Sequence, residues 1–132
     1  MKYSKEKFSA IMEELGITFK VDNLKGSDLY LFRLASDRKE YTGGFMIFQE
    51  EGACLLYVPQ MCVYKEMEQK ILLMINNINA EIQYGRLYID EEHMQLSYRM
   101  STKIDEIEKE DIESYLSELL YVINKVEDYE NR

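Results

Sequence analysis

The segment that decides the fold is residues 29–58, LYLFRLASDRKEYTGGFMIFQEEGACLLYV. Three apolar runs of strand length lie in it, at residues 29–34, 41–49 and 53–58. The polar gaps between these runs are too short to hold the crossover helix that a parallel pair of strands needs. We therefore predict an antiparallel meander that ends at Pro59, with a bulge or bend at Gly43 and Gly44.

Upstream of this segment the sequence predicts a helix followed by a short strand. Apolar residues recur at helical spacing, at Phe8, Ile11, Met12 and Leu15. Ser4 is a suitable N-cap, and Gly16 stands where a helix commonly stops. Alternation then begins at Ile17 and predicts a short strand.

Downstream, a second helix is predicted at about residues 65–79, because apolar side chains share one helical face. These are Met67, Ile71, Met74, Ile75 and Ile78. Residues 82–89 and 94–100 predict a hairpin, the second strand alternating strictly between apolar and polar positions. An apolar stripe from Ile112 to Val126 predicts a last helix, whose acidic first turn suits the positive end of the helix dipole.

The resulting order of elements predicts an α+β fold. We expect an antiparallel sheet of five or six strands flanked by helices, in the order α-β(3-4)-α-β-β-α. The length of 132 residues is that of one domain, so residues 1–132 are expected to form a single domain.

Charge narrows the choice of partners. The chain has a formal net charge of −9, and residues 101–132 hold four basic and ten acidic side chains. This field disfavours nucleic acid and anionic membrane surfaces, and it is compatible with a basic protein partner. No apolar run approaches the length of a membrane span, and no secretion signal is seen, so we expect a cytoplasmic protein.

The residues predict no catalytic, cofactor or metal site. His93 is the only histidine, and the glycines form no phosphate-binding motif. The cluster at residues 90–93 could hold a cation weakly, but a solvated turn is the preferred interpretation. Cys54 lies in an apolar run and Cys62 in a connecting segment, and both are expected to be unreactive thiols in a reducing compartment. We therefore predict that the protein is not an enzyme.

Eleven tyrosines and eight methionines are the unusual part of the composition. Met67, Met74, Met94 and Met100 suit an ordinary core, but such side chains also suit a groove for a peptide or a second subunit. Exposed tyrosines commonly anchor interfaces. Both interpretations stay open from the sequence.

Three stretches together resemble the YbjN family of small bacterial proteins, within the type III secretion chaperone-like fold. They are ILLMINNIN at residues 71–79, GRLYID at 85–90 and LSYR at 96–99. The resemblance implies a non-enzymatic protein whose relatives are small, acidic cytoplasmic homodimers that hold an extended segment of a client.

The leading hypothesis is therefore a cytoplasmic protein-binding or chaperone-like module that acts through apolar, tyrosine and methionine surface. The alternatives are an acidic inhibitor or immunity-type protein that masks a basic enzyme, and a small-ligand sensor. The second predicted helix is apolar on two sides, so we also expect a homodimer. The expected dimer or partner surface comprises Met67, Leu72, Leu73 and Met74.

Overall fold

The computed structural model describes residues 2–131, which form six strands and three α-helices. In chain order the elements are α1 (Lys5–Glu14), β1 (Phe19–Leu24), β2 (Ser27–Ala35), β3 (Glu40–Phe48), β4 (Ala53–Val63), α2 (Gln69–Glu81), β5 (Arg86–Asp90), β6 (Gln95–Lys103), a 3₁₀ turn (Ile104–Glu106) and α3 (Lys109–Glu130). The predicted α+β class and order of elements are confirmed, with four strands before α2.

The strands form one open sheet in the order β1-β2-β3-β4-β6-β5, and every neighbouring pair is antiparallel. The first four strands follow one another as the predicted meander. The β5–β6 hairpin then joins the sheet through β6, which leaves β1 and β5 as the two edge strands.

The prediction that Pro59 ends the fourth strand is wrong. β4 continues to Val63 and carries Cys62, which was expected in a connecting segment. Pairing of β4 with β3 ends at Tyr57, and its register with β6 shifts between Val58 and Cys62. Proline is tolerated at such an irregularity because it has no N–H to contribute to the ladder.

The predicted bulge at Gly43 and Gly44 is also wrong. β3 pairs with β2 without a shift in register along its length. At Gly43 an added Cβ would lie 2.9 Å from Cγ2 of Val58 and 3.1 Å from Cζ of Phe32. This glycine therefore makes room for two packed side chains on neighbouring strands.

The ends of α1 are those that the sequence predicts. The hydroxyl of Ser4 accepts a hydrogen bond from the backbone N–H of Lys7 at 3.1 Å, which satisfies one of the free donors of the first turn. Gly16 follows the helix with φ of +76°, a conformation that glycine adopts without steric cost. The chain then turns back into β1.

Helix α2 lies against the edge strand β5 and is fixed there by Asn79. The side-chain oxygen of Asn79 accepts from the N–H of Leu87 at 2.8 Å, and its NH₂ donates to the Leu87 carbonyl at 3.2 Å. One amide side chain therefore satisfies both backbone groups of an edge-strand residue. The helix begins at Gln69 and ends at Glu81, a few residues later at each end than predicted.

All three helices pack on the same face of the sheet, which we call the helix-covered face. The ring of Phe8 in α1 lies 4.6 Å from that of Tyr30 and 5.5 Å from that of Phe45. Helix α2 contributes Met74 and Ile78 to the same core cluster. The buried stripe of α3 joins it through Ile112, Leu119, Val122, Ile123 and Val126. The opposite side of the strands is the helix-free face.

Candidate functional site

The helix-free face of the sheet carries apolar side chains that no helix covers. They occupy strand positions between the buried ones, because successive side chains of a strand point to opposite faces. They are partly buried by their neighbours on the strands but do not belong to the core cluster. We call them the apolar rows: Leu29, Leu31, Met46, Leu55 and Tyr57.

Strand register brings these side chains together in two rows. Leu29, Met46 and Leu55 are successive cross-strand partners on β2, β3 and β4. In the next row Leu31 and Tyr57 lie on either side of Gly44, which has no side chain of its own. An added Cβ at Gly44 would lie 3.1 Å from Cδ1 of Leu29, so the leucine leans over the glycine and closes the surface.

The second row continues onto β6 with Arg99, the cross-strand partner of Tyr57. The Arg99 guanidinium carbon lies 5.1 Å from the ring centre of Tyr57 and 5.3 Å from that of Tyr88. Both distances are those of cation–π contacts. The exposed guanidinium is therefore held over two aromatic rings at the end of the apolar surface.

The helix-free face is cationic although the chain is strongly acidic. Its strand positions hold five cations and three acids, which gives a formal charge of +2. The cations are Lys20, Arg33, Arg86, Arg99 and Lys103, and the acids are Asp22, Glu40 and Asp90. Because the whole chain carries −9, the remaining residues carry −11. The strand positions of this face therefore carry a charge opposite in sign to that of the remaining residues.

The structure separates the four residues predicted as a partner surface on α2. Leu72 and Leu73 are 46% and 53% exposed, as a contact surface requires. Met74 is only 2% exposed and belongs to the core cluster, so it does not lie on that surface. Met67 is partly buried and precedes the helix. The surface on α2 is thus reduced to its two leucines.

Carboxylates with shifted pKa values lie where the sequence did not indicate them. Glu118 of α3 accepts hydrogen bonds from the backbone N–H groups of three successive residues, 83–85, and from the hydroxyl of Tyr98 at 2.7 Å. Burial alone would raise the pKa of Glu118, but these bonds to its charged form outweigh burial and lower it. The neighbouring Gly85 has no room for a side chain, because a Cβ would lie 2.3 Å from the Tyr98 ring.

Two carboxylates that are more deeply buried than Glu118, those of Glu127 and Asp28, are held in the same way. Glu127 accepts from the hydroxyls of Tyr41 and Ser36, each at 2.6 Å, and Asp28 accepts from that of Tyr3 at 2.7 Å. In both, burial raises the pKa, and the hydrogen bonds to the ionised form outweigh it and lower the pKa. These carboxylates already accept hydrogen bonds from groups of the protein. They connect α3 or the N-terminal segment to the sheet, so we interpret them as structural.

The thiols and the histidine show no activated group. Both cysteines are free and buried, and burial raises the pKa of Cys54 to about 12 and also raises that of Cys62. Each is therefore a thiol near neutral pH, not a nucleophilic thiolate. His93 bonds to Asp90 at 2.8 Å in the β5–β6 turn, which raises the pKa of the histidine. Within residues 2–131, no group of three ligating side chains is placed to hold a metal ion.

A groove of about 320 Å³ lies between the end of β4, the start of α2 and the end of α3. Ile71, Met74 and Tyr129 supply apolar side chains, and charged residues such as Lys65 and Glu130 also line it. A small-ligand sensor would use such a groove, so that hypothesis stays a prediction. In the part of the chain that the structure describes, no helix is long and apolar enough to cross a bilayer.

The apolar rows could have been found in the sequence. Residues 29–32, LYLF, and 53–58, ACLLYV, are continuously apolar and do not alternate with polar residues. Continuous runs are typical of strands with apolar side chains on both faces. The same pattern that predicts the strands therefore also indicates an apolar face beyond the helices.

Comparison with known proteins identifies the fold and no family. No family model matches the sequence, and no curated protein matches it. Among solved structures, the chain is similar to one in the "Structure of the HopA1-SchA Chaperone-Effector Complex". The TM-score is 0.60 at 13% sequence identity, and the match covers 89% of this chain and 88% of that one. At that identity the likeness shows a shared fold.

Proposed function

We propose that this protein is a non-enzymatic, chaperone-like module that holds a segment of a client protein on the helix-free face of its sheet. The observation that carries the proposal is the apolar rows, which lie outside the core and beneath no helix. Contiguous apolar surface of this kind commonly marks a protein-binding site. The similarity in fold to a chain of a chaperone–effector complex supports the same role.

The mechanism is burial of apolar surface by an extended segment. An extended segment that crosses the sheet presents every second side chain to the apolar rows. Removal of apolar area from water contributes about 25 cal/mol per Å². Since the rows are already partly buried, each contact contributes modestly, and several together are needed to offset the ordering of the segment.

We further propose that the chain is a single domain of residues 1–132, that it is a member of the YbjN family, and that it acts in the cytoplasm as a homodimer. The exposed Leu72 and Leu73 on α2 are the proposed dimer surface. Light scattering at micromolar concentration tests this with wild type and with a variant that carries Leu72→Glu and Leu73→Glu. We expect wild type at about twice 15.7 kDa and the variant at the single-chain mass. A monomeric wild type overturns the dimer.

An acidic inhibitor of a basic enzyme is the alternative function, favoured by the charge of −11 carried outside the helix-free face. Such a partner would bind the helical side, and its association would slow sharply as salt increases. Glu118 and Glu127 would contribute little, because both are hydrogen-bonded within the protein. Binding on the apolar rows is expected to depend far less on salt.

Peptides selected from a random displayed library on the wild-type protein test the client-binding role. We expect the selected peptides to bind Leu55→Glu at least tenfold more weakly, because the new charge replaces an apolar side chain next to Met46 in the apolar rows. Leu120→Glu is the matched control: Leu120 is 44% exposed on α3, and its replacement should leave binding unchanged. Leu55→Thr is a milder variant that preserves strand propensity. Equal affinity for wild type and both Leu55 variants would contradict the proposed site.

A further inference from the structure

Arg99 is a cation that the described residues hold in place but do not neutralise. Its guanidinium is fixed over the rings of Tyr57 and Tyr88, at 5.1 and 5.3 Å. Within residues 2–131 it forms no ion pair, whereas Arg33 on the same face pairs with Glu40 at 3.8 Å. A guanidinium stacked on aromatic rings keeps its N–H groups free at the edge, where they can bind a carboxylate through two hydrogen bonds.

The neighbours of Arg99 leave its charge uncompensated. Its cross-strand partner on β5 is Arg86, and like charges directly opposite each other destabilise a strand pair. Arg86 donates instead to the backbone carbonyl of Gly85 at 2.6 Å. Asp90, the acid on the same face of β5, binds His93. An anion bound at Arg99 would therefore relieve a repulsion that is built into the sheet.

We infer that the client segment carries an Asp or Glu that binds Arg99, at a fixed distance from an apolar residue that packs beside Leu31. This inference rests on the proposed function and specifies the chemistry of the client. Bidentate pairing with a guanidinium favours a carboxylate over an amide or an amine. The acidic group and the apolar surface are then recognised together.

The spacing follows from the sheet. Leu31 and Arg99 lie in one row across β2, β3, β4 and β6, and three strand separations of about 4.8 Å place them about 14 Å apart. An extended segment that crosses the strands advances about 3.4 Å per residue, so four residues span this distance. An even number also keeps both side chains on the same side of the segment. The client should therefore carry the acid four residues from the apolar side chain.

The rest of the molecule argues against a polyanion such as nucleic acid at this face. The residues outside it carry −11, which repels an extended line of phosphates. The apolar rows would also be left uncovered by a phosphate backbone. A peptide with one carboxylate among apolar residues satisfies both the arginine and the leucines.

Synthetic ten-residue peptides with a fluorescent label and a Gly-Ser tail test the inference by anisotropy. They share a leucine and differ in one residue: Glu, Gln or Lys four positions away, or Glu three positions away. We expect the first peptide to bind wild type about fivefold more tightly than the other three, the size of one exposed ion pair. The preference should disappear in Arg99→Gln and persist in the control Arg33→Gln.

The outcomes separate the inference from the proposed function. Equal binding of all four peptides, or a preference for Lys, overturns the inference and leaves client binding standing. A preference for Glu that survives in Arg99→Gln overturns the assignment to Arg99. Failure of every peptide, together with failure of library selection, overturns the proposed function. Arg99→Lys should retain part of the preference, because it keeps the charge without the bidentate geometry.

Discussion

The two faces of this sheet are made by the same six strands, but the helices pack on only one of them. On the helix-covered face, strands β2 to β6 contribute buried side chains, and the polar groups at Asp28, Tyr41 and Tyr98 have partners within the protein. On the helix-free face, leucines and tyrosines are only partly covered, and Arg99 has no counter-ion among residues 2–131. The side chains of the helix-covered face thus have their partners within the free protein, whereas those of the helix-free face are only partly covered.

This difference indicates that the stability of the fold depends mainly on the helix-covered face, and that the helix-free face is available to bind a partner. A packed face tolerates few changes, because each residue is held by several neighbours. An uncovered face tolerates substitution in the free protein, so its apolar residues are available for another purpose. Adjacent residues on one strand should therefore respond differently to the same substitution, which gives matched pairs for experiment.

The largest contrast is expected between Leu56 and Leu55 on β4. Leu56 is fully buried, so Leu56→Ala should lower the free energy of unfolding by about 3 kcal/mol through lost burial and a cavity. Leu55→Ala should cost about 1 kcal/mol, because its side chain is only partly buried. Urea denaturation measures both. Equal losses would mean that the helix-free face is packed, and would break the comparison.

A smaller contrast is expected between Gly43 and Gly44 on β3. Gly43→Ala puts a methyl 2.9 Å from Val58 on the packed face, and overpacking there should cost about 2 kcal/mol. Gly44→Ala meets Cδ1 of Leu29 at 3.1 Å, which can move aside, and the backbone oxygen of Tyr30 at 3.3 Å, so the loss should be smaller, about 1 kcal/mol. Thermal melting of the two variants checks the order. The reverse order would show that the uncovered face is the more rigid one.

The smallest effect is expected for Glu127 on the helix-covered face, and it depends on pH. Folding lowers the pKa of Glu127 from its ordinary 4.5, so its contribution is present above that value and is lost as pH falls through the folded pKa. Glu127→Gln should cost about 1–2 kcal/mol at pH 7. Stability of the variant should then fall less than that of wild type between pH 7 and pH 3. Denaturation at several pH values measures the free energy of unfolding. If it depends on pH equally in the variant and in wild type, the stabilising role of the hydrogen bond between Glu127 and Tyr41 is contradicted.

The sequence predicts most of the fold because local patterns carry it. Ser4 and Gly16 mark the ends of α1, and the alternation at residues 94–100 gives β6. The asparagine-rich end of α2 is visible in the sequence, but the role of Asn79 depends on tertiary structure. Asn79 bonds a residue eight positions away, on a strand whose position depends on the whole sheet.

What the sequence could not predict depends on neighbours distant in the chain. Pro59 looks like a stop until β4 is seen to leave β3 and continue along β6 alone. The glycine pair predicts a bulge, but the register is continuous, and Phe32 and Val58 occupy the space beside Gly43. The carboxylate of Glu118 is one of many acids in α3, and only tertiary structure distinguishes it by its bonds to residues 83–85.

The side-chain amide of Asn79 also affects whether the sheet can associate with other molecules through its edge strand β5. An open sheet can grow by adding strands from other molecules at its edges, and unchecked growth leads to fibrils. At the centre of β5 the hydrogen-bonding groups of Leu87 are already engaged by a side chain that imitates a peptide unit but cannot extend into a strand. The ladder therefore terminates there within a single molecule. Polymerisation by strand addition at β5 is therefore blocked at Leu87, while the apolar rows remain accessible to a partner.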